Sequence, residues 1–331
     1  MVRVLSVGVA VMDHVFRVDA FPTRAEKYRA LDAAMVGGGG AANAAVAIAR
    51  LGGTAHLAAR VGDDPIADAI IADLAAEGVG TRLVRRHPGR RSSFSSVLVD
   101  DAGERQIVNF RDTGLTMDPG WLREALARMA LDAALADTRW PDGALVAMER
   151  ARELGVPGVM DAEAPVHEAG AAVRAASHVV FSAQGLRDFV GAGPDGGDLP
   201  ALLREAAGDL RAAVVGVTDG PDGVRWMERG GGDGSGTIHD AIHNAIRHEP
   251  APPLGVPLVD TLAAGDVWHG ALALALGEGQ SLADAMRFAN AAATLSVGGT
   301  GRSGAPDRAA VEAMLGSVVG SVIGSAQAGR G

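Results

Sequence analysis

The residues with the greatest chemical reach lie in Asp260-Thr-Leu-Ala-Ala-Gly-Asp266, which runs straight into the apolar stretch Val-Trp-His-Gly-Ala-Leu-Ala-Leu-Ala-Leu276. Three small residues, Ala263, Ala264 and Gly265, at the start of a helix let a phosphate come close to the backbone. Free N–H groups and the positive end of the helix dipole would then hold the anion. Asp266 sits within reach of the same point, where it could take a proton from an incoming hydroxyl. Phosphoryl transfer to an alcohol needs an anion cradle beside a base, because that chemistry is mostly positioning and charge stabilisation. The same residues would also serve as an Asp N-cap on a buried helix.

A second element far upstream narrows the choice. Gly37-Gly-Gly-Gly-Ala-Ala-Asn-Ala-Ala-Val-Ala-Ile-Ala-Arg-Leu-Gly-Gly53 puts four glycines ahead of a helix of small residues, with Gly52 as a stop signal. Backbone bared at Gly38 and Gly39 could bind a polyol, and Asn43 offers both a donor and an acceptor to hydroxyl groups. A tight glycine turn with close helix packing would use the same residues. Neither the Rossmann dinucleotide fingerprint nor a P-loop ending in Gly-Lys-Ser/Thr is present.

The two segments together resemble the paired signatures of the ribokinase-like carbohydrate kinase family, and the likeness extends over nearly the whole chain. Val217-Thr-Asp-Gly-Pro-Asp-Gly223 is similar to that family's nucleotide-binding Val-Thr-x-Gly-x-x-Gly. The resemblance implies a three-layer α/β/α sandwich with a small β-sheet lid, the core over 1–12, 37–89 and 113–331 and the lid over 13–36 and 90–112. It also implies ATP with Mg2+ as the phosphoryl donor and a homodimer joined through the lid. A monovalent cation near Asp260 is known in such relatives. Ser182, Thr218, Gly220, Gly223 and Asn290 would line the ATP site, Asn290 serving equally as a helix-packing amide.

Two departures stand out. The anion turn often begins with Gly, whereas this chain has Ala263. Phe181-Ser-Ala-Gln-Gly185 replaces an Asn-x-x-Glu near magnesium, so Gly185 brings no carboxylate; Asp161 is the candidate substitute.

Elements that would position these residues can be read from hydrophobic period. Strands are expected at Val2–Val9, Ala55–Val61, Val156–Met160, His178–Phe181 and Ala212–Thr218. Helices are expected at Pro65–Glu77, Asp142–Leu154, Leu199–Leu210 and Leu282–Leu295. Their alternation points to parallel α/β architecture. Ser92–Val99 and Glu104–Phe110 read as a hairpin turning at Asp100-Asp-Ala-Gly103.

Lys27 is the only lysine in the chain and Tyr28 the only tyrosine, although basic residues number 30. A compact ammonium kept among arginines suits a site needing a point charge, and it suits a chance surface lysine as well. With Asn109, Arg139, Asp13, Pro22-Thr23 and Arg60-Val-Gly-Asp-Asp64, it makes the chain resemble the sulfofructose kinase branch. There a Lys, an Asn and an Arg at the positions of Lys27, Asn109 and Arg139 grip a sulfonate, while Asp13, Asn43, Gly38 and Gly39 hold sugar hydroxyls. Read without that likeness, Asn109 fits an edge strand and Arg139 a structural ion pair.

Composition fits these expectations. The 331 residues are ample for one large domain with a smaller module. Absence of cysteine excludes disulfides, thiolate metal sites and a cysteine nucleophile. A net charge of −10 argues against nucleic acid as a partner. No apolar run has membrane-spanning length, and the amino terminus enters a strand pattern rather than a signal peptide, so a cytoplasmic enzyme without membrane contact is expected. Gly230–Gly236 reads as a surface loop, His239, His243 and His248 as a weak metal pattern, and the tail after Met314 as a fading helix.

Overall fold

A computed structural model describes residues 1–101, 104–115, 118–229, 245–255 and 257–317. Gly230–Gly236, His239, His243 and the end of the tail lie outside the described residues.

The first half of the chain holds β1 (Arg3–Gly8), β2 (Val11–Arg17), β3 (Asp32–Gly38), α1 (Gly40–Arg50), β4 (Thr54–Val61), α2 (Pro65–Ala76), β5 (Gly80–Arg86), β6 (Phe94–Val99), β7 (Arg105–Phe110), α3 (Gly120–Leu126), β8 (Ala133–Ala136) and α4 (Pro141–Leu154). The second half holds β9 (Gly158–Ala162), α5 (Gly170–Ala175), β10 (His178–Ser182), α6 (Ala183–Val190), α7 (Leu199–Asp209), β11 (Val214–Thr218), β12 (Val224–Glu228), β13 (Arg247–Glu249), α8 (Ala264–Gly277) and α9 (Leu282–Ser296).

Nine strands form one sheet in the order β13-β12-β11-β10-β9-β8-β1-β4-β5. From β11 to β5 neighbouring strands run parallel. At the other edge β12 and β13, two strands beyond those expected from the sequence, are antiparallel.

Helices cover both faces, and the strand period of two divides the core accordingly. Val4, Val159, Val180 and Val214 point into one apolar cluster with α1, α2, α8 and α9. Leu5, Met160, Val179 and Val215 point into the other, with α3 to α7. Helix ends follow local chemistry: Asp64 caps α2 by accepting the Ala67 amide at 2.9 Å ahead of Pro65, and Gly155 at φ 68 stops α4.

A second sheet, β3-β2-β6-β7, forms the small module expected as a lid. The predicted hairpin is β6 and β7, paired antiparallel, while β2 and β6 run parallel. Val11 pairs with Gly38, so this sheet extends two residues beyond the expected 13–36 at each end. Gly37 and Gly38 therefore end a strand of the small sheet.

Candidate active site

The candidate residues collect at the carboxyl ends of the central strands. The chain leaves β1 for β4 on one side and returns in β8 on the other, making a crevice of the kind where α/β sheets bind ligands. Asp137 follows β8, Asp161 lies on β9, Ser182 ends β10 and Thr218 ends β11.

Close helix packing assembles the catalytic end. At Gly270 of α8 an added Cβ would stand 2.6 Å from the Ala44 carbonyl of α1, so only glycine permits this crossing. The two helix starts then meet: Asn43 Nδ2 donates to Asp266 Oδ2 at 2.7 Å. A Cβ on Gly40 would lie 3.3 Å from Asp266 Oδ1 and 3.4 Å from Asp137 Oδ2. Asn43 is 6% exposed, and its Oδ1 has no hydrogen-bond partner. A buried acceptor without a donor is costly, and a sugar hydroxyl would satisfy it.

Burial pushes the Asp266 carboxyl up to about 7; the negative charge of Asp161 adds to the rise and the Asn43 bond opposes it. A carboxylate at that value is suited to act as a base near neutrality. Asp161 is also raised well above the usual range, by burial and by the charges of Glu163 and Asp137. His269, 2% exposed, lies behind both acids on α8. Its Nδ1 is 2.8 Å from the Gly265 carbonyl and 3.5 Å from Asp161, and its Nε2 is 3.2 Å from the Val180 carbonyl.

The anion turn opens on a left-handed residue, against the preference of its alanine. Ala263 adopts φ 66, the only non-glycine residue with positive φ among the described residues, and makes no side-chain cap for α8. Left-handed alanine costs about 1–2 kcal/mol, the strain a glycine would avoid. An added Cβ at Gly265 would meet nothing within 4 Å, so space is open in front of the first amides of α8.

At the opposite end, Asp13, Ser95 and Asn109 stand directly across β2, β6 and β7. Asn109 Nδ2 donates to Ser95 Oγ at 3.1 Å, and burial raises the Asp13 carboxyl against the pull of its Ser95 hydrogen bond. A Cβ on Gly38 would stand 2.4 Å from Asp13 Oδ2, and one on Gly39, at φ 97, would meet the Val9 carbonyl at 2.5 Å. Bare backbone is obligatory at Gly39, whereas a Cβ at Gly38 would displace the Asp13 carboxylate. Arg302 lies beneath Gly37, buried and paired with Asp73.

Asp137 was not singled out in the sequence, yet it ties the crevice together. Its carboxylate accepts the amides of Val9 (2.9 Å), Ala41 (3.0 Å) and Arg139 (2.8 Å). Burial raises this carboxyl above the usual range, and the three amides, one of them at the start of α1, pull it back. The only local clue was an acid ending an alanine-rich strand.

Arg139 forms the ion pair that was one of its two expected roles. Its Nη2 reaches Glu163 at 2.8 Å and donates to the Ala164 carbonyl at 2.9 Å. Arg60 stacks 4.8 Å from the Trp140 ring centroid and donates to the Arg139 carbonyl. Lys27 is exposed on the β2–β3 loop and makes no hydrogen bond or ion pair among the described residues. The neighbouring Tyr28 hydroxyl accepts the amides of Thr23 and Arg24, folding that loop on itself.

On the nucleotide side, Thr218 Oγ1 donates to the Phe181 carbonyl, and Gly220 and Gly223 take φ 51 and 83. Ser182 caps α6 through the Gly185 amide. A Cβ at Gly185 would come 1.9 Å from the Ala162 carbonyl, so this backbone has no room for the carboxylate common there in relatives. Asn290 is a packing amide: Oδ1 accepts from Trp268 Nε1, and Nδ2 donates to the carbonyls of Glu249 and Pro250. Helix packing was one of the two roles expected of it. His248 Nε2 lies 2.7 Å from the Asp222 carbonyl. Among the described residues no group of three or more His, Asp or Glu is arranged to hold a metal ion.

The pfkB family carbohydrate kinase pattern matches residues 1–308. The chain belongs to that family. It is 30% identical over 322 residues to the ATP-dependent ribose-1-phosphate kinase of Halopiger xanaduensis, covering 95% of this chain and 98% of that relative. It is 28% identical to the ribokinase of Bacillus subtilis, with 93% and 98% covered. Among solved structures, a protein of Agrobacterium tumefaciens provisionally named a ribokinase shares 35% identity and a TM-score of 0.84, covering 96% of this chain and 98% of that one. A pfkB carbohydrate kinase is a phosphotransferase with an alcohol acceptor. No helix among the described residues is long and apolar enough to cross a membrane.

Proposed function

We propose that this carbohydrate kinase transfers the γ-phosphoryl group of ATP to the C1 hydroxyl of 6-deoxy-6-sulfofructose, giving the 1-phosphate for sulfoquinovose breakdown. The observation that carries the chemical step is Asp266, pushed to about 7 and held by Asn43 beside an open turn. As the C1 oxygen bonds to phosphorus and the bond to ADP breaks, Asp266 takes the hydroxyl proton. The amides following Ala263 face the charge in transit. Asp13, Gly38, Gly39 and the free Oδ1 of Asn43 hold the sugar. Magnesium supplies charge neutralisation on the phosphates. Asp161, close enough for its charge to raise Asp266, would be the carboxylate that orders its water shell.

Selection of an anionic sugar is supported by Lys27, an uncommitted ammonium on the module that also carries Asp13 and Asn109. Asn109 and Arg139 would complete a tripod for three sulfonate oxygens, Arg139 exchanging the exposed Glu163 for substrate. Charge-assisted hydrogen bonds of that kind contribute about 1.5–3 kcal/mol each. The engagement of Arg139 favours a second reading, a kinase for fructose or ribose, whereas a ketose phosphate would call on the same cations as the sulfonate. A coupled assay with ATP against sulfofructose, fructose 6-phosphate, fructose and ribose separates them. The first reading predicts the highest kcat/KM for sulfofructose, and a preference for any other sugar overturns it.

A further inference from the structure

Asp260 begins the anion turn, and both its oxygens are occupied. Oδ1 accepts the Leu262 amide at 2.9 Å, and Oδ2 accepts the Gly301 amide at 2.9 Å. The positive charge beside it comes from the lid: Arg105 Nη2 lies 3.1 Å from Asp260 Oδ1 and donates to Thr261 Oγ1 at 3.0 Å. The Asp260 side chain is only 16% exposed and that of Arg105 27%. A guanidinium stands where the family resemblance allows a monovalent cation, so the residues present do not fit a second positive charge there.

We propose that Arg105 is a positioning residue that supplies, from the first position of β7, the cation needed by the anion turn. Two bonds from one nitrogen span the two modules of the molecule, joining the lid to the segment that enters α8. Asp260 stiffens that segment by holding Leu262 and Gly301 together, and an uncompensated carboxylate there would be costly. Seating of the lid over the sugar and readiness of the phosphate turn thereby become one event. Turnover then needs no added potassium or sodium. This rests on the carbohydrate-kinase reading of the chain and on no particular sugar.

The test compares wild type, Arg105→Ala and Arg105→Lys, assayed in tetramethylammonium, sodium and potassium salts with the sugar that gives turnover. Wild type should change less than about twofold between salts, while Arg105→Ala should lose about tenfold or more in kcat with a smaller change in KM. Potassium or millimolar guanidinium should restore part of that loss, and Arg105→Lys should fall between. A wild-type enzyme requiring potassium, or an Arg105→Ala enzyme with unchanged kcat, overturns the proposal. Should no sugar in the panel be turned over, amide hydrogen exchange over residues 258–266 decides the question without turnover. Faster exchange in Arg105→Ala supports the link, and equal exchange refutes it, whichever way the kinase reading falls.

Discussion

The two ends of the crevice are built differently. Around Asp266, helix starts, strand ends and glycines lock each group: Asn43 bonds Asp266, Asp137 accepts three amides, and His269 sits between two carbonyls and Asp161. Lys27 on the small sheet's β2–β3 loop is by contrast exposed, and Arg139, although its amide is held by Asp137, pairs its side chain with an exposed glutamate. Chemistry common to a family can be preorganised in the core, where electrostatic effects are strongest. Under the proposed function, recognition of one sugar would sit on a small sheet with edges, which can be altered without disturbing that core.

The largest expected effect tests the locked end. Asp266→Asn should lower kcat by about 10²–10⁴-fold with ATP affinity nearly unchanged. The same change should stabilise the fold above neutral pH. A carboxyl whose folded pKa is raised from 3.8 to about 7 favours folding while protonated, and that contribution is lost as pH rises through about 7. Thermal melts should therefore show Asp266→Asn gaining most at about pH 8 and least at about pH 5. A uniform gain would mean the residue is not the buried titrating group.

The open end should respond to substrate identity instead. Lys27→Ala and Arg139→Ala should each raise KM for sulfofructose about tenfold or more and change KM for fructose much less. Equal effects on both sugars would remove the anion tripod and leave a general sugar kinase. The smallest effect belongs to the turn itself. Ala263→Gly relieves a left-handed alanine, and the relief and the greater freedom of glycine in the unfolded chain partly cancel. Denaturant melts should then show a gain of no more than about 1 kcal/mol; a loss larger than that would mean the alanine methyl packs against something essential.

Much of the locked end was legible because its signals are local. Gly37–Gly40 and Ala263–Asp266 announce helix starts with bare amides, and the structure puts them where those signals pointed. What brings them together is not local: Asn43 and Asp266 are 223 residues apart. Asp137, Arg105 and Arg302 carried no motif, because their roles follow from which strand and loop ends meet. Gly185 looked like a missing carboxylate, and only the Ala162 carbonyl explains why that backbone has room for none. The strands β12 and β13 were likewise missed, because Val224–Glu228 and Arg247–Glu249 are short and rich in charge.

The most direct test of the base assignment is the pH dependence of kcat/KM for the wild type and Asn43→Ala. Asp266 must be ionised to accept the hydroxyl proton, so activity should rise with pH along one limb centred near 7. Removing the Asn43 amide takes away a bond that favours the ionised form, which should move that limb to higher pH. A wild-type profile flat from about pH 5 to 8, or a limb that Asn43→Ala leaves in place, would contradict the account.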